Sequence, residues 1–418
     1  MSIILVVTFF VLMLASVPVA YALIVAGGLA VLSQGMAQAP LLIVKLFTPT
    51  QSYPLLAIPF FILSGSLMMS GSLGRKLVGF AAALVGRYPG GLGQVSVVGS
   101  TVFGGVSGSA VAEASALGSM LIPWQRREGY PPAFAAAVTA SSSVIAGLIP
   151  PSIPLIIYAT VSNTSIAALF IAGILPGLML AIGLMTVCYV SGRTRGFPVI
   201  SREQAGHVMQ NFWAALPALA MPIFILVLLR AGIATPTEVS VIAVAYALVV
   251  SSLLYRDMTI ARLALALKET GIATGVVMMV IMGSNLVGYV LTVEHIPDTV
   301  AQWALDTLGS PVLILLLMNA MLLVIGMFLD LPAAILLLGP TLVGLGQAVG
   351  IDPVQLGIIV AVNLSIGLFT PPIGTTLFIS SSIARQPIGA VVKELWPFYL
   401  VAFTVLMLFT FVPALTIY

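Results

Sequence analysis

The chain has 418 residues, of which 60% are hydrophobic and only 6% are charged, and its mean hydropathy is +1.20. A soluble domain carries about 25% charged residues, so this composition excludes a soluble domain and predicts an all-α polytopic membrane protein. The balance of 15 basic and 12 acidic residues is therefore evidence about topology and does not indicate nucleic-acid binding. The single cysteine, Cys188, excludes an internal disulfide and, without a nearby cluster of His or Cys, gives no support for a structural metal site.

Apolar runs of spanning length predict the membrane segments. In chain order they cover residues 3–32, 53–70, 132–161, 166–192, 212–230, 236–255, 271–293, 354–384 and 387–416. The first is expected to form one membrane helix that begins at Met1. Two longer runs, 90–123 and 310–349, exceed the length of one crossing and have Gly-rich or Pro-containing centres. Each is either one long tilted helix or a re-entrant hairpin that enters and leaves on the same side of the membrane.

Charged residues distinguish between these alternatives, because Lys and Arg collect on the cytoplasmic side. Basic residues flank the run 90–123 at both ends, and acidic residues flank the run 310–349. They are Arg75, Lys76, Arg87, Arg126 and Arg127 for the first run, and Glu294, Asp298, Asp306 and Asp352 for the second. Both runs are therefore predicted to be hairpins, the first on the cytoplasmic side and the second on the outer side. The same count of crossings places the N-terminus inside and the C-terminus outside.

An internal repeat supports this division. Residues 105–151 align without a gap on residues 326–372, with an offset of 221 residues that carries Pro150 onto Pro371. Eleven of the 47 aligned positions are identical, and several of these are Gly or Pro, which constrain the backbone. With opposite predicted orientations, the two copies form an inverted repeat, an architecture common among secondary transporters. The predicted halves are 1–192, with a hairpin at 90–123 and a broken helix at 132–161, and 212–418, with one extra helix, a hairpin at 310–349 and a broken helix at 354–384; residues 193–211 form a cytoplasmic linker.

Double prolines interrupt both predicted broken helices, at Pro150-Pro151 and Pro371-Pro372. Proline removes a backbone donor and clashes with the preceding turn, so each pair should unwind its helix and free several carbonyl oxygens. Irregular backbone is tolerated at membrane depth only where it is buried in protein or lines a cavity. Because the pairs occupy equivalent positions in two inverted halves, we predict a binding function for both breaks rather than simple kinks.

The predicted hairpin tips, 105–109 and 327–332, supply hydroxyl, carbonyl and carboxylate oxygens. Such oxygen-rich turns suit a hard cation, and helix N-termini that begin there favour an anion, so one site can hold sodium and a carboxylate substrate. A carboxylate inside a membrane segment indicates function. Asp330 is expected to contact the cation or substrate, whereas Glu113 either contacts a ligand or holds the first hairpin together. Glu238 is expected only to cap a helix.

An enzyme is a remote alternative. Gly105-Val106-Ser107-Gly108 fits the GxSG around the nucleophile of rhomboid intramembrane proteases. That chemistry requires a histidine base at membrane depth. The two histidines of the chain lie in the polar linker, at His207, and at a membrane edge, at His295. We therefore expect that the protein is not an enzyme.

Six segments together make the sequence resemble the large membrane subunit of tripartite ATP-independent periplasmic (TRAP) transporters, over essentially the whole chain. They are Ser107–Pro123, Ala146–Pro154, Leu169–Gly177, Thr235–Glu238, Gly326–Asp330 and Gly367–Gly374. The resemblance implies an elevator carrier of the bacterial inner membrane, driven by a sodium gradient. It implies a separate small four-helix membrane subunit and a periplasmic substrate-binding protein as partners. The implied substrates are organic acids such as C4-dicarboxylates, keto acids, sugar acids and sialic acids.

The resemblance also implies which residues form the site. One sodium ion would lie between the first tip and the first break, at Ser107, Gly108, Ser109, Gly147, Pro150 and Ser152. A second would lie between the second tip and the second break, at Gly326, Asp330, Thr370, Gly374, Thr375 and Thr376. Substrate would sit between the tips, with Ser107, Ser109, Glu113, Asp330, Pro150 and Thr370 as candidate contacts. Residues 271–293 contain no arginine for the substrate carboxylate, so either helix ends and hydroxyls hold it or the substrate is less anionic than a dicarboxylate. The alternative function is a stand-alone sodium–anion symporter of the same architecture.

Overall fold

The structure, a computed structural model, describes residues 1–35, 39–69, 71–200 and 207–418. These residues form nineteen α-helices and no strand. The helices are α1 (Ser2–Leu14), α2 (Val19–Leu32), α3 (Ala39–Phe47), α4 (Ala57–Met69), α5 (Leu73–Val85), α6 (Gly91–Ser107), α7 (Ala110–Arg127), α8 (Pro132–Ser142), α9 (Ile153–Ser162), α10 (Ile166–Arg195), α11 (Val208–Arg230), α12 (Pro236–Val249), α13 (Ile260–Val293), α14 (Ile296–Leu308), α15 (Pro311–Gly326), α16 (Leu331–Val349), α17 (Pro353–Leu368), α18 (Thr375–Ala384) and α19 (Ile388–Phe411). Part of the predicted linker, residues 201–206, lies outside the described residues.

Several of these helices can cross a membrane. In the described ranges, six are long and apolar enough, namely α10, α11, α12 with its π-helical extension to Leu254, α13, α16 and α19. A bent pair, Ala39–Gln51 and Tyr53–Met69, meets the same criteria as one broken span with an angle of 59°. The predicted all-α polytopic membrane fold is confirmed. Glu238 also has its predicted role, because it forms a capping box with Thr235 at the start of α12.

The predicted single helix over residues 3–32 is wrong. The chain breaks between α1 and α2, where Ser16 has a φ of 59° and Pro18 lacks a backbone donor. The two helices pack on each other. The backbone nitrogens of Met1 and Ser2 bind the carboxylate of Glu294, at 2.5 and 3.0 Å, just after the end of α13. Val31, near the end of α2, shares a buried cluster with residues of α13 near Glu294. The start of α1 and the end of α2 therefore lie at the same end of α13, and α1 folds back along α2.

This contact also corrects the predicted topology. The charge pattern predicts the N-terminus inside and Glu294 outside, yet the two are hydrogen-bonded to each other. They must therefore lie on the same side of the membrane. The charge pattern could not reveal this, because it was counted on one crossing between Met1 and Leu32 where the structure has two short packed helices.

Both long apolar runs form antiparallel helix pairs rather than single long helices. In the first, the Gln125 amide near the end of α7 donates to the Leu92 carbonyl (3.1 Å) and the Ser96 hydroxyl (2.6 Å), both near the start of α6. In the second, Ile314 at the start of α15 and Leu345 near the end of α16 share a small buried cluster. The chain therefore turns between α6 and α7 and again between α15 and α16, and we call these turns the first and second tips.

Each pair is followed by a broken helix. Helix α8 continues as a 3₁₀ turn, Ser143–Gly147, before the first break and α9, and the second break separates α17 from α18. The second arms begin at Ala110 and Leu331, with the same 221-residue offset as the double prolines. The two copies also interlock, since α9 packs on α16 of the other copy and α18 packs on α7. Five crossing segments separate the pairs, the broken helix α8–α9 and helices α10 to α13, and an odd number of crossings reverses orientation.

We call helices α6–α9 and α15–α18 the repeat. Helix α13 contacts both the repeat and helices near the N-terminus. It packs on α2, α3 and α4, and on its other side it contacts α16 of the second pair. A side chain on Gly27 or Gly283 would press on Leu286 or Leu23, respectively, so α2 and α13 approach closely where these glycines lie. We call α2, α3, α4 and α13 the scaffold. They contact the repeat through α13, which packs on α16, and through α4, which packs on α6.

Candidate ion and substrate site

The first tip rests directly on the first break. Ser107 ends α6, Gly108 adopts a left-handed conformation with a φ of 61°, and Ser109 caps α7 by accepting the Ala112 N–H at 3.4 Å. The Gly108 carbonyl accepts a hydrogen bond from the Ile153 N–H at 3.5 Å. A Cβ on Gly108 would collide with the Pro151 carbonyl oxygen, so glycine is required by both its conformation and its contact.

The first break is closed by Ser152. Its hydroxyl donates to the Gly147 carbonyl at 2.6 Å and accepts the Leu155 N–H at 3.3 Å, which caps α9. Ser152 and Pro150 are both buried. A Cβ on Gly147 would lie 3.2 Å from the Ser365 hydroxyl of α17 and 3.8 Å from Leu331, the first residue of α16. Gly147 thus marks the place where the first break meets the other copy of the repeat.

The second tip is attached to the second break by an equivalent bond. The Ile373 N–H donates to the Met327 carbonyl at 3.3 Å. Gly326 packs against Gly367 so closely that a Cβ on Gly367 would collide with the Gly326 backbone. Asp330 precedes α16 as its N-cap, but its side chain is exposed and makes no capping hydrogen bond. The carboxylate is therefore available to a ligand.

The second break concentrates oxygen atoms around Gly374. A Cβ there would lie 2.7 Å from the Thr370 carbonyl oxygen and 3.1 Å from that of Leu368, so these carbonyls converge. The Thr370 hydroxyl donates to the Ile366 carbonyl at 2.6 Å. The Thr376 hydroxyl lies 2.9 Å from the Leu368 carbonyl and 3.1 Å from that of Ala140 in α8. The Thr375 hydroxyl is buried and has no hydrogen-bond partner within the described part of the chain.

The two breaks differ in exposure. Pro151 and Ser152 are buried, whereas Pro372 and Ile373 are exposed. The repeat is therefore symmetric in backbone but asymmetric in access, and the second break is the more open of the two.

Comparison with known proteins identifies the family. The family model described as "Tripartite ATP-independent periplasmic transporter, DctM component" matches residues 6–415. The chain belongs to this TRAP transporter family. The resemblance of the sequence to the large permease subunit is thereby confirmed.

Two relatives resemble this TRAP permease in sequence, and one solved structure resembles it in fold. It is 50% identical to protein y4mL of Sinorhizobium fredii over the whole of both chains. It is 38% identical to the C4-dicarboxylate TRAP transporter large permease protein DctM of Pseudomonas aeruginosa, over 90% of this chain and 88% of that protein. The crystal structure of the Alcanivorax borkumensis YdaH transporter, 16% identical, matches with a TM-score of 0.59 over 88% of this chain and 86% of that one. The last likeness concerns the fold alone.

The oxygen atoms at the two tip–break pairs could hold a hard cation. Carbonyl and hydroxyl oxygens dominate both tip–break pairs, with the Asp330 carboxylate added in the second, and oxygen ligands are those that a hard cation prefers. Carbonyls that already accept one hydrogen bond, such as that of Gly147, keep a second lone pair. No group of three or more His, Cys, Asp or Glu side chains that could hold a metal occurs among the described residues. Apart from the Asp330 carboxylate, the predicted ligands are therefore uncharged oxygens.

Glu113 lies in the first turn of α7, where its N–H donates to the Ser109 carbonyl at 3.0 Å. Its side chain is fully buried beside Ser100, which is hydrogen-bonded to Ser142 of α8 at 2.9 Å. Neither carboxylate oxygen has a hydrogen-bond partner among the described residues by distance and angle. Of the two roles considered for Glu113, this position favours holding α6, α7 and α8 together over contact with a substrate between the tips.

Sequence reasoning missed Ser365. Its buried hydroxyl has no partner in the described ranges and lies against Gly147. The repeat carried no signal for it, because the equivalent residue in the first copy is the apolar Val144. The Ser365 hydroxyl is thus a candidate cation ligand at the contact between the two copies.

Proposed function

We propose that this permease is the large membrane subunit of a sodium-coupled, binding-protein-dependent transporter that takes up a small organic acid across the bacterial inner membrane. The observation that carries the proposal is the repeated attachment of a tip to a proline break, Gly108 to Ile153 and Met327 to Ile373. Two such attachments, in copies of opposite orientation, would form two oxygen-rich pockets close together in the membrane. This arrangement is typical of secondary transporters with alternating access.

Sodium is the proposed coupling ion at both tip–break pairs. The first pocket would use Ser107, Gly108 and Ser109 with Gly147, Pro150 and Ser152. The second would use Gly326, Asp330, Thr370, Gly374, Thr375 and Thr376. The hydroxyls of Thr375 and Ser365 support this assignment, because buried oxygens without partners gain most from a cation. The uncapped carboxylate of Asp330 would add a negative charge to the second pocket.

The proposed substrate is an organic carboxylate bound between the tips. Helices α7 and α16 both begin at a tip, so their N-terminal N–H groups favour an anion there. Ser107, Ser109 and Thr370 are the candidate hydroxyl donors. The name of the relative from Pseudomonas aeruginosa makes C4-dicarboxylates the first class to test.

An elevator motion is proposed for the transport cycle. Helices α6–α9 and α15–α18 interlock across the two copies and would move as one body, while the scaffold stays fixed and contacts them through α13 and α4. Arg256, Arg262 and Lys268 lie at the end of α13 opposite Glu294. Basic residues favour the cytoplasm, so we now place the Glu294 end, and with it the N-terminus, on the periplasmic side. The C-terminus stays on the periplasmic side as first predicted.

The proposed partners are a small four-helix membrane subunit and a periplasmic binding protein. Helices α11 and α12 carry large exposed apolar side chains, among them Trp213, Ile223, Val227, Ile242 and Val249. Such a surface is suited to lipid or to another membrane subunit.

Uptake into proteoliposomes tests the proposal. Vesicles would contain the chain and its candidate small subunit, with the binding protein and a sodium gradient each added or omitted, and radiolabelled succinate as the first probe. Uptake only when both are present is the expected result. Sodium-driven uptake without the binding protein would instead indicate a stand-alone symporter, and uptake without sodium would contradict the coupling ion.

The Asp330→Asn variant makes the same assay specific for the second tip. Because Asp330 makes no capping bond, its loss should leave insertion and folding unchanged while sodium-dependent uptake falls at least tenfold, on the order of 1.4 kcal/mol or more. Asp306→Asn, the same change at an exposed position of α14, is the matched control. Equal uptake by both variants would remove Asp330 from the site.

A further inference from the structure

A cavity of about 430 Å³ lies between the scaffold and the repeat, outside the tips. Helices α3 and α13 line one side of it, and α9 and α16 line the other. Its polar side chains include Lys45, Ser284, Asn285 and Tyr289, and Leu336 of α16 faces them. Leu336 follows Asp330 by six residues, which is about 9 Å along the helix. The wall of the cavity thus begins about 9 Å along α16 from Asp330 at the second tip.

Lys45 is held in place by its backbone and ring contacts. Its carbonyl accepts the Asn285 side-chain amide at 2.6 Å, and its ammonium group lies 4.8 Å from the centre of the Tyr289 ring. None of the described residues that line the cavity carries a carboxylate. Glu294, which follows two residues after the cavity-lining Thr292, is already paired with the Met1 amino group. The positive charge of Lys45 is thus not neutralised by a carboxylate within the cavity.

Ser284 is a second, independent feature of the same cavity. Its side chain is only 1% exposed, and its hydroxyl has no hydrogen-bond partner among the described residues. A buried hydroxyl is normally paired. A hydroxyl without a partner and a lysine without a carboxylate, on the wall of one cavity, are what a carboxylate ligand would satisfy.

We propose that this cavity is an access site for organic carboxylates, in which Lys45 binds the carboxylate and Ser284 donates a hydrogen bond to it before the substrate reaches the tips. Lys45 supplies the cation that residues 271–293 lack, because the fold brings α3 against α13. The proposal rests on the proposed function for its substrate class. It adds a site on the scaffold, separate from the sodium pockets.

Cysteine labelling in the purified full chain tests this site without transport. Gly288 lines the cavity, and a Cβ there meets no atom within 4 Å, so Gly288→Cys is a reporter that should not disturb packing. The native Cys188 is fully buried, and the unmodified protein is the background control. Labelling rates would be compared for an anionic, sulfonate-bearing methanethiosulfonate and a cationic, trimethylammonium-bearing one, with Lys45→Gln as the test variant. Lys268→Gln is the matched control, because it removes the same charge from α13 about 30 Å from Gly288 along the helix.

We expect Lys45→Gln, and not Lys268→Gln, to reduce the ratio of anionic to cationic labelling about five- to tenfold, as the loss of one nearby charge predicts. Succinate should slow labelling when Lys45 is present and not in Lys45→Gln, while a neutral diol of the same length should have no effect. An unchanged ratio would overturn the proposal. A changed ratio without protection by succinate would reject an organic-acid site. Neither outcome depends on sodium coupling, which the uptake assay measures separately.

Discussion

Two serines of the first broken helix differ in the hydrogen bonds that they make. Ser141 lies within α8, where its hydroxyl donates to the Ala137 carbonyl at 2.8 Å, one turn earlier. Ser152 instead bonds across the break to Gly147 and caps α9. Both side chains are buried, so exposure does not distinguish them. Their hydrogen-bond partners do.

Ser152→Ala should therefore affect both stability and sodium use. Loss of the cap and of the bond to Gly147 should lower the free energy of unfolding by about 1 kcal/mol. Loss of one oxygen at the first pocket should raise the sodium concentration for half-maximal uptake about tenfold, equivalent to about 1.4 kcal/mol. The measurements are thermal denaturation in detergent and uptake at graded sodium. Ser141→Ala is the control, and an equal sodium dependence in the two variants would exclude Ser152 as a ligand.

The candidate site was predictable where chemistry coincides with a local backbone signal. Ser107 and Ser109 flank Gly108, and Asp330 comes two residues before Pro332 at the start of α16, so each lies at a tip where a helix must end or begin. Ser365 and Lys45 lie inside ordinary helices, α17 and α3, and are brought to their cavities by packing with other elements. No local pattern marks such residues, because their surroundings come from distant parts of the chain.

At the scale of elements, the attachment of a tip to a break depends on one glycine. Gly108 and Gly309 have nearly the same left-handed backbone, with φ values of 61° and 60°. A Cβ on Gly108 would strike the Pro151 carbonyl, whereas one on Gly309 would meet no atom within 4 Å. A substitution at Gly309 therefore introduces backbone strain alone, whereas one at Gly108 introduces the same strain and a steric clash.

Gly309→Ala should cost only the strain of a left-handed alanine, about 1 to 2 kcal/mol, and should keep uptake. Gly108→Ala adds a collision that pushes the first tip away from the first break, so uptake should be lost. Uptake per inserted molecule and thermal denaturation measure the two effects. Retained uptake in Gly108→Ala would show that the tip need not touch the break.

The N-terminal helix pair depends on a charge contact instead. The Met1 amino group and the Ser2 N–H lower the pKa of Glu294 to about 2. Since this folded pKa is below the ordinary value of 4.5, the contact stabilises the fold above pH 4.5, and this stabilisation is lost as the pH falls towards 2. The attachment of α1 should thus persist at pH 5 and weaken near pH 2.

Glu294→Gln removes the carboxylate charge, so at neutral pH it should weaken the attachment of α1 as protonation does at low pH. Hydrogen exchange should become faster in α1 and α2 but not in α5, which belongs to a different part of the fold and serves as the internal reference. Thr292→Ala, two residues earlier, is a control because its hydroxyl bonds only within α13, to Gly288. Unchanged exchange in α1 would mean that packing on α2 alone holds it.

At the scale of the whole molecule, the repeat was more predictable than the scaffold. Gly and Pro constrain the backbone locally, so an offset of 221 residues found in the sequence recurs in the starts of α7 and α16 and of α8 and α17. The fold-back of α1 on α2 has no such marker beyond Pro18, and the contact that holds it, from Met1 to Glu294, spans most of the chain. Topology inferred from charge alone failed at that point, because it depended on the number of crossings before the first hairpin.

The proposed elevator motion requires the repeat to slide relative to the scaffold. Val287 of α13 and Ala333 of α16 belong to one buried cluster across this boundary. Val161 of α9 and Gly339 of α16 touch each other within the repeat, where a Cβ on Gly339 would collide with Val161. If the repeat slides as one body, a thiol cross-link between cysteines at 287 and 333 should abolish uptake, and reduction should restore it. A cross-link between cysteines at 161 and 339 should leave uptake intact, because these positions move together. Continued uptake with the 287–333 pair fully cross-linked would contradict sliding along α13 and would favour local opening of the tips as the transport step.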